Sequence, residues 1–220
     1  MGAPFGESDR EDWWRVFDVH FRGTVEIVRA AWPHLLRSDS GRIINIISSA
    51  MLGSPGVSAY GSGKAAIWGF TKTLALEAES TGITVNAVSP SAWTRMTSAI
   101  EDPAVTATLQ KYFAPEHVSA FIVWLAHQGT QVNNQTFQVS AGRAERLTLA
   151  ALPSVRVEES TPAGWKRVAD RLLSDSTDLT ALSTTMQSFE NELIGADPSI
   201  AEAIRSGPGV TTFDDKRVAS

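Results

Sequence analysis

The sequence predicts an α/β protein: the C-terminal part of a doubly wound parallel sheet, followed by a helical extension. Two short runs, RIINII at 42–47 and ITVNAVSP at 83–90, are apolar on both faces, as strands covered by helices on both sides must be. A long helix-forming segment separates them, and strand, helix, strand is the repeating unit of a parallel sheet. The third observation is one of order. The chain opens in a helix, and only about three strands can be found where a sheet usually has about 5–6. The pattern reads as the second half of such a sheet.

Taken in order, Ser8 or Asp9 can cap a first helix, and Glu11 and Asp12 sit in its first turn, where the helix dipole favours acids. Trp14, Phe17, Phe21, Val25, Val28 and Trp32 recur every three or four residues and form the apolar stripe of a helix over 11–36. A turn at 38–41 leads into the strand 42–47. The second helix spans 58–80 and stops at Gly82, a natural C-cap. The next strand, 83–90, ends at Pro90. Residues 97–112 are helical and peripheral, and Pro115 starts another helix over 114–128. The segment 135–142 is the last strand of this part. From Arg143 the character changes: Pro153, Pro162 and VEES mark an irregular connection to short helices near 163–173 and 178–194. These changes divide the chain into a partial α/β domain (1–142), a helical extension (143–195) and a flexible tail (196–220).

Composition excludes several classes. With 43% hydrophobic and 20% charged residues over 220, the chain can bury a core. A net charge of -5 argues against a nucleic-acid surface. The absence of cysteine removes disulfides, thiolate chemistry and sulfur-ligated metals. His117 and His127 are ten residues apart with no completing carboxylate, so no metal site is expected. The N-terminus has no signal-peptide pattern and no apolar run reaches membrane-spanning length, so the expectation is a cytoplasmic protein without a membrane segment.

The chemistry concentrates in SSAMLGSPGVSAYGSGK, residues 48–64. A phosphate loop fails on spacing: the position five before Gly63 is Ser58, and Ala65 follows Lys64. An acid–base reading fits better. Tyr60 and Lys64 stand four residues apart on one helical face, and an ammonium beside a phenol favours its charged form. Such a pair can exchange a proton with a carbonyl or alcohol oxygen. Ser48 or Ser49 ends the preceding strand, at the edge where open parallel sheets bind ligands. Taken alone, a Tyr and a Lys at this spacing are an ordinary surface pair on a helix.

The wider pattern decides. RIINIIS…GSPGVSAYGSGKAAIWGFTKTLALEAESTGITVNAVSPSAWTRM resembles the second half of a short-chain dehydrogenase/reductase (SDR), whose fold is Rossmann-like. The resemblance implies an NAD- or NADP-dependent oxidoreductase with a catalytic set of Ser48, Tyr60 and Lys64. Tyr60 would be the general acid/base, Lys64 would also hold the nicotinamide ribose, and Ser48 would orient the substrate carbonyl. Pro90, Ser91 and Thr94 match the loop that lies along the nicotinamide. The flanking segments EDWWRVFDVHFRGTVEIVRAAWPHL and APEHVSAFIVWLAHQGTQVNNQTFQVSAGRAERL resemble the (3R)-hydroxyacyl-CoA dehydrogenase units of peroxisomal-type multifunctional enzymes. The implied substrate is an acyl-CoA, with a hydroxysteroid as the alternative. Helices 11–36 and 58–80 resemble the family's dimer-forming pair, which implies a homo-oligomer.

Departures from the family pattern are informative. His20 stands where the family usually has asparagine, and is a possible proton relay. The loop between the serines and Tyr60 is about one residue shorter than usual, so Ser49 competes with Ser48. Ser91 replaces a glycine. Trp93, in the same loop, is an aromatic that could face substrate, whereas Trp14, Trp32, Trp68 and Trp124 belong to apolar stripes. The Gly-rich turn that grips a dinucleotide pyrophosphate is not among these 220 residues, so the chain alone is expected to bind nicotinamide cofactors weakly. The competing expectation is an inactive interaction subunit or truncated product that pairs with a longer chain.

Overall fold

The computed structural model describes residues 3–95, 97, 100 and 102–206, and divides the chain into two compact units, Met1–Leu147 and Thr148–Ser220. Helix α1 (Arg10–Leu35) is capped by Asp9, whose carboxylate accepts from the backbone N–H groups of Glu11 and Asp12. Two of the orphan donors of the first turn are thereby satisfied. Strand β1 (Arg42–Ile46), helix α2 (Ser58–Glu77), strand β2 (Thr84–Ser91), helices α3 (Pro103–Tyr112) and α4 (Pro115–Ala126), and strands β3 (Thr136–Ser140) and β4 (Arg143–Leu147) complete the first unit. The sheet order is β1-β2-β3-β4; β1, β2 and β3 are parallel and β4 is antiparallel to β3.

Alternation along the strands sorts the core between the two faces. Ile43 and Val85 pack with Val28 of α1, with Leu74 and Ala75 of α2 and with Ala78 just after it. On the other face Ile44, Val88 and Val139 pack with Val118, Phe121 and Leu125 of α4. Asn45 is buried, yet its amide donates to Thr71 Oγ1 at 2.8 Å, and that hydroxyl donates to Ile67 O at 2.7 Å. The buried Asn45–Thr71 pair is thus satisfied within the core.

The fourth strand corrects the sequence expectation that 143 opens a helical extension. RAERL is exposed along β4 except at Leu147, so it carries no apolar alternation to betray a strand. The turn before it does the work: Ala141 and Gly142 both take positive φ, 47° and 71°, the conformation of tight hairpin turns. Residues 143–147 therefore join the sheet.

The second unit holds a two-stranded sheet, β5 (Leu149–Ala151) with β6 (Thr180–Leu182), and helices α5 (Pro162–Leu172), α6 (Thr185–Ala196) and α7 (Ala201–Ser206). The extension is thus mixed rather than wholly helical. The expected helix over 178–194 begins only at Thr185, after Thr184 caps it through Gln187 N–H. Part of the tail expected to be flexible is α7; residues 207–220 lie outside the described residues, as do 96, 98, 99 and 101 of the expected helix over 97–112.

Candidate active site

β1 delivers the first site residue. Its ladder ends at Ile46↔Val88, and Ile47 N–H donates to Val88 O at 2.8 Å. The chain then leaves the sheet at Ser48, half-buried and extended (φ -154°, ψ 152°), whose hydroxyl accepts from Ala50 N–H at 3.2 Å and opens a short 3-10 turn. Ser49 is exposed on that turn. Both lie at the C-terminal edge of the parallel strands.

α2 delivers the next two. Tyr60 sits in its first turn, and Lys64 one turn on is buried, its ammonium 5.6 Å from the Tyr60 ring centroid. The Lys64 ammonium donates to Ile46 O at 2.8 Å, tying α2 to the end of β1. Glycine permits this close approach: a Cβ on Gly61 would lie 2.8 Å from Ala50 O. Gly61→Ala should therefore push the 48–52 turn off α2 and cost about 1–3 kcal/mol, the usual penalty of overpacking. Urea unfolding checks this, and an unchanged midpoint would show that the turn yields freely.

α1 contributes the relay candidate. His20 packs edge-on against the Tyr60 ring, 4.9 Å between centroids, where Gly63 leaves room for its Cβ. Partial burial and, secondarily, the charge of Lys64 hold His20 below its ordinary value; burial alone lowers Lys64. For His20 the sign is clear. As pH falls through about 6.5 the unfolded chain takes the proton before the folded chain does, so stability drops until the lower folded value is passed, then levels. His20→Asn should remove this acid slope, seen as the difference between variant and parent in urea unfolding from pH 5 to 8. Equal slopes would exclude it.

β2 carries Pro90 and Ser91 at the same sheet edge, in register with Val139 and Ser140, and Thr94 follows, exposed, with its backbone N–H bonded to Thr97 Oγ1 at 2.7 Å. The structure thus gathers Tyr60, Lys64 and His20 into one cluster beside the Ser48 turn. Pro90 and Ser91 lie at the end of the neighbouring strand.

Two features were missed by sequence reading. Trp13, not Trp14, is the half-buried tryptophan of the first turn of α1, while Trp14 is 51% exposed. The spacing of Trp13, Phe17 and His20 was the available signal. Tyr60 also borders a cavity of about 300 Å³ between the start of α1 and residues 56–60, lined by Trp13, Val16 and Val57 together with Glu7, Asp9 and Asp12.

A parallel sheet flanked by helices, with a Tyr–Lys pair beside its C-terminal edge, defines the fold class as Rossmann-like. Residues 1–104 match the family profile described as short chain dehydrogenase, the short-chain dehydrogenase/reductase family to which the relatives also point. It is 32% identical over 175 residues to peroxisomal multifunctional enzyme type 2 of Mus musculus, covering 76% of this chain and 23% of that protein. Among solved structures, full-length peroxisomal multifunctional enzyme type 2 from Drosophila melanogaster superposes with a TM-score of 0.77 at 20% identity, covering 91% of this chain and 36% of that one. That likeness is one of fold. A 3-oxoacyl-[acyl-carrier protein] reductase with bound NAD from Brucella melitensis superposes with a TM-score of 0.53 at 32% identity, covering 64% of this chain and 55% of that one. The chain spans less than two thirds of the length of each.

Proposed function

We propose that this chain supplies the proton-transfer half of an oxidoreductase moving a hydride between NAD or NADP and the 3-hydroxy/3-oxo carbon of an acyl thioester such as an acyl-CoA. The observation that carries the reading is the Tyr60–Lys64–His20 cluster beside the sheet edge. In the reducing direction the substrate carbon receives the hydride, and the Tyr60 hydroxyl gives its proton to the carbonyl oxygen, forming the alcohol. In this reading His20, whose ring packs edge-on against the Tyr60 ring, supplies a fresh proton to Tyr60 after the first has gone to the alcohol. Ser48 holds the carbonyl oxygen; its half-burial at the strand end supports it over exposed Ser49. NAD or NADP supplies the hydride.

Lys64 fits the ribose of such a cofactor. Among the described residues it makes one hydrogen bond, to Ile46 O, and an ammonium carries three donors. Two N–H groups beside Tyr60 suit a vicinal diol. Pro90, Ser91 and Thr94 would flank the nicotinamide from β2 and its following loop.

The cavity favours a second substrate. Glu7 and Asp9, which line it, disfavour the phosphates of CoA, while Asp12 is paired with Arg15; a neutral hydroxysteroid would meet Trp13, Val16 and Val57 without that repulsion. The relatives' acyl chemistry supports the thioester, and the cavity supports the steroid. Pairing of two chains through α1 and α2 is part of the same proposal, supported by Trp14, Val19 and Ile27, which α1 leaves 51%, 67% and 72% exposed. No helix among the described residues is long and apolar enough to cross a membrane; a cytoplasmic location stays part of the proposal.

The test follows oxidation of millimolar NADH or NADPH in the presence of a 3-oxoacyl-CoA or an oxosteroid. Turnover that Tyr60→Phe abolishes is the expected result. Turnover of the steroid alone selects the second substrate. No turnover with either, with a dimer in sedimentation, would leave the interaction-subunit reading in place of the enzymatic one.

A further inference from the structure

We propose that Trp13 is a positioning residue for Tyr60, acting through Ser58. The inference deepens the proposed reaction, since it rests on Tyr60 being the proton donor. Trp13 Nε1–H donates to Ser58 Oγ at 2.9 Å, joining the first turn of α1 to the first residue of α2 across 45 positions of sequence. That end of α2 lacks the usual local clamp: its N-cap is Val57, and no side chain caps the first turn. A helix end without a cap frays most readily in its first turn, and Tyr60 is the third residue of that turn. The indole, a donor only, does not satisfy the free N–H groups as a serine or aspartate cap would; it ties the first residue of α2 to a separate helix.

The indole is itself held. Its ring stacks at 5.8 Å on Phe17, and Phe17 backbone atoms lie against Gly63, one residue before Lys64. One turn further, His20 meets the Tyr60 ring. Trp13, Phe17 and His20 thus form one α1 row against the turn of α2 that holds the acid–base pair. Phe17 and His20 set how closely the helices approach. The Trp13–Ser58 bond is the directional contact of the row, because a hydrogen bond fixes an angle and ring packing does not.

The test reads Tyr60 itself, so it does not depend on turnover. The chain has two tyrosines, Tyr60 and Tyr112, and ¹³C-labelled tyrosine gives one ring signal for each. Trp13→Phe keeps an aromatic ring and removes the donor; Ser58→Ala removes the acceptor; Ser58→Thr keeps a hydroxyl. Expected are a shifted and broadened Tyr60 signal in Trp13→Phe and in Ser58→Ala, no further change in the double variant, restoration in Ser58→Thr, and an unmoved Tyr112 signal. A Tyr60 signal unchanged in Ser58→Ala overturns the proposal, as do single effects that add in the double variant. An equal shift of Tyr112 also overturns it, because that marks general loosening. Where turnover is present, Ser58→Ala should lower kcat about 3–10-fold with KM unchanged, the pattern of a mis-set proton donor. Absence of turnover with the expected Tyr60 shifts would fail the enzymatic reading and leave the positioning inference standing.

Discussion

Tyr60→Phe should lower kcat by about 10²–10⁴-fold, the contribution of a positioned general acid or base. The variant keeps the ring that packs against His20 and under the Lys64 ammonium, and loses only the hydroxyl. Folding stability and cofactor affinity should therefore change little, because neither contact requires the oxygen. Steady-state turnover and a parallel unfolding curve separate the two quantities. Retained turnover would remove Tyr60 from the chemistry. A large loss of stability would mean that the hydroxyl has a structural partner instead.

Lys64→Met should have opposite effects on activity and stability. Turnover should fall by about 10²-fold or more, since the charge that favours the Tyr60 oxyanion disappears. Stability at neutral pH should rise by about 1 kcal/mol, because methionine fills the same channel without a buried ammonium. The Ile46 carbonyl left behind is only part-buried, on a strand at the edge of the described sheet, which limits its cost. The pH dependence follows from the lowered value of Lys64. Below its folded value the ammonium is charged in both states and the burial cost is complete. As pH rises through that value towards about 10.4, the folded chain loses its proton first and the cost is relieved. The advantage of Lys64→Met should thus be largest near pH 7 and shrink towards pH 10, which urea unfolding at the two values would show. A variant less stable than the parent at pH 7 would mean that the Ile46 bond outweighs desolvation. A site that retains a destabilising charge for its chemistry is the usual form of a stability–activity conflict.

The parts of the fold legible in the sequence are those with strong local periodicity. β1, β2 and β3 announce themselves as β-branched runs, and α1 as an apolar stripe opened by a recognisable cap at Asp9. β4 was not legible, because RAERL is an exposed edge strand set by the turn at Ala141 and Gly142 rather than by its own pattern. The helical phase of α1 was read one residue off at its start. Trp13 and Trp14 fit the three-and-four spacing equally well, and only the position of α2 makes Trp13 the inner one.

The sequence by itself determined the family and the Tyr60–Lys64 pair, since four residues along a helix bring two side chains to one face whatever surrounds them. It left Ser48 and Ser49 as rivals, and it could not say what His20 or Lys64 would touch. Tertiary structure decided what those two side chains touch. His20 reaches Tyr60 from a separate helix, the Lys64 ammonium finds a carbonyl 18 residues away, and Trp13 bonds Ser58 across 45. Such contacts depend on the rotation and spacing of two packed elements. Those are set by the glycines between them and by the core beneath, so no single stretch of sequence carries them.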